Sequence, residues 1–524
     1  MQEATTELIK PSSQSPPADF PNISWARLRH HFHPNIGRGH HLPLPPGPPS
    51  LPVIGNLHQI PENFRWKTYK EWHDKYGPVI TVKCGLKTMI LLGSHKSARD
   101  LLDKRGSIYS SRPHFSGLGD YGFGGKSITF LPYGPRWKQR NRIQTALVKP
   151  SMTKRYRVLQ DVESKNLLLK ILQHGSEFFD LFELFHANLL LVLMYGRRIS
   201  DLGERYQEEY IGNITAVEHA FQRNHVVEPF PWLTEALSFG KWKARSRKAI
   251  KNQEMLLERF TDAALASRSW NWCKALAGEK EGNNIDKEDI IMTSADLFEA
   301  GHAVPMTLCV FVMASVLHQS AVKEAQEELD RVVGSDRLPT FDDMPNLPYV
   351  NAFISEVQRW RPIAVTGMPH AVTEDDEYMG YRIPKGTPVA ANHWSLEHDE
   401  EIFGDPSNFR PQRWIDDVSL PTCPFGFGRR ACPGQYLVRD TLFSVISRML
   451  WAYNFDYAYD ESGNKKEIDP DNMSQSADSQ PLPFDAVFSI RSSRHQEIVE
   501  NESNACEQNL DIILNKIKPS EKEL

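Results

Sequence analysis

Cysteine is scarce in this chain. It has six in 524 residues, Cys84, Cys273, Cys309, Cys423, Cys432 and Cys506, and none forms a C-x-x-C pair. A zinc cage or a disulfide framework is therefore excluded, and a reducing compartment fits best. No run of about 18 apolar residues occurs. AVPMTLCVFVMASVL (303–317) is too short to span a bilayer and reads as a buried helix. The first 42 residues are polar and carry no signal-peptide apolar core. There is no excess of positive charge: the net charge of −5 argues against a general nucleic-acid binder. Internal repeats, a Gly-x-Ser-x-Gly elbow and an HExxH helix are also missing. Two glycine motifs fail on context. GFGRRA (426–431) follows LPTCP, whose two prolines cannot sit in a central strand. GDYGFGGKS (119–127) has Asp120 where a phosphate loop needs its first glycine.

What is present is a chain with 40% hydrophobic residues, able to bury a large core. Length alone suggests about three domains, though one large domain is also consistent. The polar leader, 1–42, contains ISWARLRHHF, with Trp25, Leu28 and Phe32 at helical spacing and Arg27 and Arg29 between them. That segment suits either a flexible solvated leader or a peripheral membrane contact. His30, His31, His33, His40 and His41 read as linker rather than metal ligands. The prolines of LPLPPGPPSLPVIGN (42–56) give a stiff extended start to the folded body, 43–493. PVITVKCGLKTMILL (78–92) alternates like a hairpin about Gly85, and IPKGTPV (383–389) carries a second hairpin signal. Helical patterns cover 94–104, 134–148, most of 150–335, 347–360 and the residues after Gly434. The expected fold is mainly α with a small β region. Residues 494–524 read as a loose polar tail.

Chemistry concentrates at PFGFGRRACPGQ (424–435). Cys432 sits in a turn-rich segment, and a helix starting near Gly434 points its N-terminus at the sulfur. Arg429 and Arg430 are expected to supply the positive charge a thiolate needs. Gly428 and Gly434 allow a tight turn and close approach of a flat ligand. Phe425 supplies an apolar wall. A buried structural cysteine and a nucleophilic cysteine are the other readings.

The spacing Phe425, Gly428, Arg430, Cys432, Gly434 resembles the haem-binding loop of the cytochrome P-450 superfamily, FxxGxRxCxG. SEVQR, with Glu356 and Arg359 three apart, resembles its conserved helix pair, and FRPQRW (409–414) its arginine segment, with Arg413 at the arginine. The resemblance covers roughly 43–493, and NHWSLEHDEEIFGDPSNFRPQRW (392–414) looks like the filamentous-fungal branch. It implies a cytochrome P-450 fold with a single large haem domain and haem b on Cys432 as axial iron ligand. It further implies a buried Glu356–Arg359–Arg413 cluster under the cysteine loop. Arg430, His370 and Trp137 would hold the haem propionates, although Asn141 stands where the family's WxxxR helix has its arginine. Ala364, Val365, Thr366 and Gly367 would face substrate, as would the loop 113–127.

The resemblance breaks at AGHAVP (300–305). Ala300 and Gly301 match the family, but Ala303 and Val304 replace an acid and a threonine that usually relay protons. Gly301, His302, Val304 and Pro305 are expected to line an atypical oxygen pocket. Pro305 lacks an N–H, so the Gly301 carbonyl is expected to be free to hold water. The implied function is a monooxygenase acting on a small organic substrate, with a secondary-metabolite intermediate in view. Electrons would come from NADPH through a separate cytochrome P-450 reductase, with Lys138, Arg140 and Arg439 as docking residues. The alternatives are an isomerase or dehydratase needing no external electrons, and a haem-binding protein without turnover. The expected setting is a monomer, cytoplasmic or peripheral at the endoplasmic reticulum, without a transmembrane anchor.

Overall fold

A computed structural model describes residues 42–115, 119–120, 124–202, 240–278, 285–476 and 478–520. The leader residues 1–41, and residues 116–118 and 121–123 of the expected substrate loop, lie outside this range. One unit runs from Leu44 to Leu524, and Leu42 and Pro43 belong to a separate one.

The elements named below, in chain order, are α1 (Arg65–Tyr76), β1 (Val79–Cys84), β2 (Lys87–Leu92), α2 (Pro135–Val148), α3 (Pro150–His174), α4 (Phe178–Tyr195), α5 (Gly240–Ala266), α6 (Lys287–Ala300) and α7 (Ala303–Leu317). They continue with α8 (Gln319–Val332), α9 (Pro348–Trp360), β3 (His370–Ala371), β4 (Asp376–Tyr378), β5 (Tyr381–Ile383) and β6 (Pro388–Ala391). The last are α10 (Gln435–Ala452), β7 (Tyr453–Tyr457), β8 (Ala486–Ile490), α11 (Ser493–Ala505) and α12 (Leu510–Ile517).

Helix α7 is apolar on all sides and therefore central. It packs on α4, α9 and α10, and α10 packs on α3. Together these helices bury a core cluster that includes Phe182, Phe185, Leu308, Phe311, Val357, Leu442 and Ile446. Among the described residues, two helical stretches are long and apolar enough to cross a membrane, Pro150–Tyr195 and Lys287–Leu317, and both are largely buried. In α8 only one stripe is buried, Ala321, Val322, Ala325, Glu328 and Leu329, as its amphipathic pattern requires. The helix stops at Gly334, whose φ of 76° suits a glycine terminus.

The main sheet has the order β1-β2-β6-β3. β1 and β2 pair antiparallel about Gly85, and β6 runs parallel to β2 with Leu91 opposite Ala390. The second hairpin expectation needs correction. IPKGTPV does turn, at Gly386 with φ 82°, but its two arms enter different sheets. β5 pairs β4, whereas β6 pairs β2 and β3. The carboxy-terminal expectation also needs correction. Residues after 493 form α11 and α12 against α3, and Ile513, Leu514 and Ile517 are fully buried. Their spacing at i, i+1 and i+4 is an apolar stripe hidden in a polar segment.

Candidate active site

Gly428 fixes the shape of the cysteine loop. Its φ is +58°, and a Cβ there would lie 2.1 Å from the Leu102 carbonyl oxygen. No other residue fits. Phe425 accepts from the Cys432 N–H at 2.8 Å, closing the turn. Burial pushes the Cys432 thiol up, and the N–H groups of Gly434 and Gln435 oppose that by hydrogen bonding to sulfur. The two arginines do not perform the task expected of them. Arg429 donates to the Tyr133 hydroxyl at 2.6 Å. Arg430 donates to the carbonyls of Ser110, Ile128 and Leu131 at 2.7, 3.2 and 2.7 Å. Backbone dipoles at the start of α10, not side-chain charge, favour the thiolate. Gly434 has an ordinary φ of −78°, so the turn itself does not demand a glycine there.

Beneath this loop lies a buried ionic cluster. Glu356 and Arg359 are 0% exposed and Arg413 is 2% exposed. Arg359 forks onto the Glu356 carboxylate at 2.9 and 2.8 Å, and Arg413 Nε reaches it at 3.1 Å. The Trp414 indole N–H and the Arg410 backbone N–H also donate to that carboxylate, at 2.9 and 2.8 Å. The remaining guanidinium protons meet carbonyls of residues 397–408, which covers the charge on every side. One of these carbonyls, that of Glu397, accepts from Arg359 at 2.9 Å. The Glu397 side chain in turn accepts from the N–H and S–H of Cys423 at 2.8 and 3.0 Å. Burial raises that carboxyl to about 7. The cluster thus reaches the root of the cysteine loop through Glu397, a residue whose role no sequence signal disclosed.

On the other side of the loop the structure gathers Arg430, Trp137 and His370. The Arg430 guanidinium lies 4.4 Å above the Trp137 ring. His370 Nδ1 is 2.7 Å from the Tyr109 carbonyl oxygen. Arg112 joins them, donating to the carbonyls of Thr129, Met368 and Pro369 at 3.0, 3.0 and 2.7 Å. Burial and the neighbouring Arg430 charge lower Arg112 to about 9. Burial, then Arg112, lower His370 to about 3. Both guanidiniums meet only neutral carbonyl oxygens and rings, and neither has a carboxylate partner among the described residues. Two such cations beside a part-buried sulfur fit a flat ligand bearing two carboxylates, so the residues present suit a haem. Arg112 was missed in the sequence. Its signal was an arginine with no acidic residue anywhere between 104 and 119.

The turn 364–367 is set by Gly367, with φ +59° and a virtual Cβ 2.6 Å from the Ala391 carbonyl oxygen. Ala364 and Thr366 are part-exposed. Val365 is not: it is 2% exposed and packs with Trp66 and Trp394. The Gly367 N–H donates to the Ala364 carbonyl at 3.1 Å, and within this tight turn Val365 is buried while Ala364 and Thr366 are part-exposed, so the four do not share one face.

At AGHAVP the long central helix breaks between α6 and α7. The Gly301 carbonyl is not free, because Val304 N–H donates to it at 3.0 Å. Pro305 sits in the first turn of α7, where a missing N–H costs nothing. Val304 and Pro305 are buried, and Val304 belongs to the same apolar cluster as Phe182, Phe185 and Leu308. Ala300 and Ala303 are the exposed residues of the break. His302 turns to α4, its Nδ1 3.7 Å from Glu183 Oε2. Gly301 is pressed against α4 as well: a Cβ would meet His186 Nε2 at 2.2 Å and Leu190 Cδ1 at 2.5 Å. Asp296, one helix face upstream, accepts the Ile128 N–H at 3.1 Å, and burial raises it to about 6.

Of the three expected docking residues, Lys138 and Arg439 are exposed. Arg140 is 1% exposed and paired with Asp289 at 3.1 Å, so it holds α2 to α6 instead.

Comparison with known proteins follows the geometry. The Cytochrome P450 family profile matches residues 45–482. A curated relative, cytochrome P450 monooxygenase FrzL of Cladobotryum sp, is 49% identical over 477 residues, 91% of this chain and 93% of the relative. Cytochrome P450 monooxygenase aneD of Aspergillus aculeatus is 41% identical over 478 residues, 90% and 93% of the two chains. Fumitremorgin C synthase of Neosartorya fischeri is 36% identical over 492 residues, 90% and 92%. A solved zebra fish cytochrome P450 structure with abiraterone superposes with a TM-score of 0.69 at 23% identity, covering 82% of this chain and all of that one. That last likeness speaks for the fold.

Proposed function

The chain belongs to the cytochrome P450 family and is a haem-thiolate monooxygenase, and from that premise we propose which of its residues serve the reaction and on what substrate. Cys432 would bind the iron of haem b. Arg430, Arg112, His370 and Trp137 would hold its propionates, and the cationic pocket, without a carboxylate partner among the described residues, is the observation that carries this assignment. Bound there, haem with a thiolate ligand supplies an electron-rich iron centre for activating dioxygen.

The chain's own groups do the rest. The Gly434 and Gln435 N–H groups tune the sulfur from the protein side. Glu356, Arg359 and Arg413 fix the loop that carries it. Phe425 and Gly428 shape that loop, and Gly434 leaves room beside the sulfur. Ala300 and Ala303, with Ala364 and Thr366, present small surfaces toward a substrate, which leaves room for an organic molecule. Gly367 holds that second segment in place. The substrate is a small secondary-metabolite intermediate, a reading supported by fungal relatives that include one named for fumitremorgin C.

Electrons come from NADPH through a separate P450 reductase, with exposed Lys138 and Arg439 near the cysteine loop as docking charges. Leu51, Val53, Ile54 and Leu86 are exposed apolar side chains, brought together where Gly55 bridges Cys84. They support a peripheral membrane contact, where such a reductase would be met.

The test has two stages. The reduced, haem-loaded chain with carbon monoxide should give a thiolate-type spectrum, and an imidazole-type spectrum overturns the Cys432 assignment. Product formation from a crude fungal metabolite extract should require both NADPH and reductase. Turnover without either would favour the isomerase reading.

A further inference from the structure

Two glutamates lie buried beneath the cysteine loop, and their surroundings differ. Glu356 is 0% exposed and accepts from five donors spread over both carboxylate oxygens. Glu397 is 1% exposed. Its Oε1 accepts from the N–H and S–H of Cys423 at 2.8 and 3.0 Å, whereas its Oε2 has no partner among the described residues. A thiol is a weak donor, so an ionised Glu397 would keep most of its charge unanswered. The groups that face it do not supply the difference. Arg359 spends its guanidinium on Glu356 and on backbone carbonyls, and gives Glu397 one N–H at the peptide oxygen. Glu356 opposes a second negative charge. The neighbouring His398 ring stacks on Trp394 and is kept neutral by burial, then by Arg359 and Arg361. Arg99 is felt by Cys423, which burial holds as a thiol. At Glu397 burial outweighs the Cys423 donors and the Arg359 charge, and raises the carboxyl to about 7.

Cys423 is where this carboxyl meets the loop. The Cys423 carbonyl accepts from the Gly426 N–H at 3.0 Å, and the Phe425 carbonyl accepts from the Cys432 N–H at 2.8 Å. We propose that Glu397 is a positioning residue for Cys432 that works as a neutral carboxylic acid. Holding its proton, it fixes Cys423 and with it the turn that carries Cys432. Losing that proton leaves a buried charge with two donors on one oxygen, which draws water to Oε2 and loosens the root of the loop. Glu356 is no substitute, because its oxygens are already filled by Arg359, Arg413, Arg410 and Trp414. This rests on the haem-thiolate reading of Cys432. Glu397 acts through Cys423 and is not a catalytic residue.

The test uses the haem-loaded enzyme and needs no turnover. Infrared difference spectra against pH should show the carbonyl stretch of a protonated carboxyl that disappears with a midpoint near 7 and is missing in E397Q. A parent without that band, or a band that survives in E397Q, overturns the neutral acid. The second readout is the rate at which the reduced enzyme with carbon monoxide loses its thiolate-type spectrum. A group of pKa about 7 becomes about tenfold more ionised between about pH 6 and about pH 8.5. The parent should therefore lose that spectrum several-fold faster at the higher pH, and E397Q, which keeps the acceptor oxygen without the charge, should change by less than twofold. The same rise in E397Q, or no rise in the parent, overturns the positioning role. E397A removes the acceptor and should lose the spectrum faster than E397Q at both pH values; equal rates mean that the Cys423 contact holds nothing. Should E397Q fail to fold, C423A tests the same contact: without the S–H donor the infrared midpoint should move up, and an unmoved midpoint overturns it. A parent that never shows the thiolate-type spectrum overturns the Cys432 reading itself, while its infrared band still reports on Glu397.

Discussion

The two sides of the site follow opposite logic. On the cysteine side, each of the five fixed residues is present, and the supporting ions are sealed by hydrogen bonds on every face. On the side of the helix break, the expected acid and hydroxyl are gone and their positions hold small apolar side chains. The cysteine loop depends on a few atoms that tolerate no substitute: a sulfur, a left-handed glycine and a buried carboxylate shared by two guanidiniums. The break needs only a supply of protons, which any suitably placed ionisable group can provide. The first kind of requirement is bound to particular residue types, and the second can move between elements.

That contrast is tested most severely at the cluster. Glu356→Ala strands two buried arginines and should cost about 3–5 kcal/mol. Haem uptake should be lost with it, as read by the ratio of haem to protein absorbance. A variant that keeps its haem and its thermal midpoint would mean the cluster is not what holds the loop. At the break the comparable change is Gly301→Ala, which drives a methyl into His186 and Leu190 and should cost about 1–3 kcal/mol. Pairing it with His186→Ala should return much of that loss, and additivity in this double cycle would show that the two residues do not meet.

Acid separates the regions further. His186 has a folded pKa of about 3, set by burial and then by His302, against 6.5 for an ordinary histidine. Its stabilising contribution is full above pH 6.5 and is lost as the pH falls toward 3, because the unfolded chain binds the proton first. At pH 5.5 the loss amounts to about 1 kcal/mol. In H186Q the fall in thermal midpoint between pH 7 and 5.5 should be correspondingly smaller than in the parent. An unchanged fall would mean that His186 already carries a proton in the native state. The same comparison at His370 should depend on haem, because two added carboxylates would offset Arg112 and Arg430 there.

Much of the fold was legible because its signals are local. The 3.6-residue stripe of α8 and the alternation of β1 and β2 each describe one element. The cysteine loop was legible for the same reason, its five positions lying within ten residues. What escaped was set by distance. Arg112 lies 318 residues before Arg430 in sequence, and only the fold makes them neighbours. Arg430 was assigned to the sulfur because it is close in sequence, whereas its guanidinium is occupied by three carbonyls of a loop 300 residues away. The α11–α12 tail was read as loose because three buried apolar residues are outnumbered by polar neighbours.

The smallest expected effect bears on the break itself. Val304→Thr restores the residue type the family resemblance calls for, and if side-chain identity at 304 governed proton supply, peroxide release should drop sharply. The structure argues otherwise. Val304 is 1% exposed within an apolar cluster, so the new hydroxyl would enter a largely apolar site. Burying it costs about 1–2 kcal/mol unless it turns back to its own helix carbonyl, as Thr307 does with Ala303. In that orientation the hydroxyl donates to backbone and has no proton to pass on. Val304→Thr should therefore lower the thermal midpoint slightly and change peroxide release per NADPH by less than twofold. Val304→Ala should leave peroxide release equally unmoved while opening a small cavity. A large gain in coupling with threonine alone would show that side-chain identity at 304 does govern proton supply.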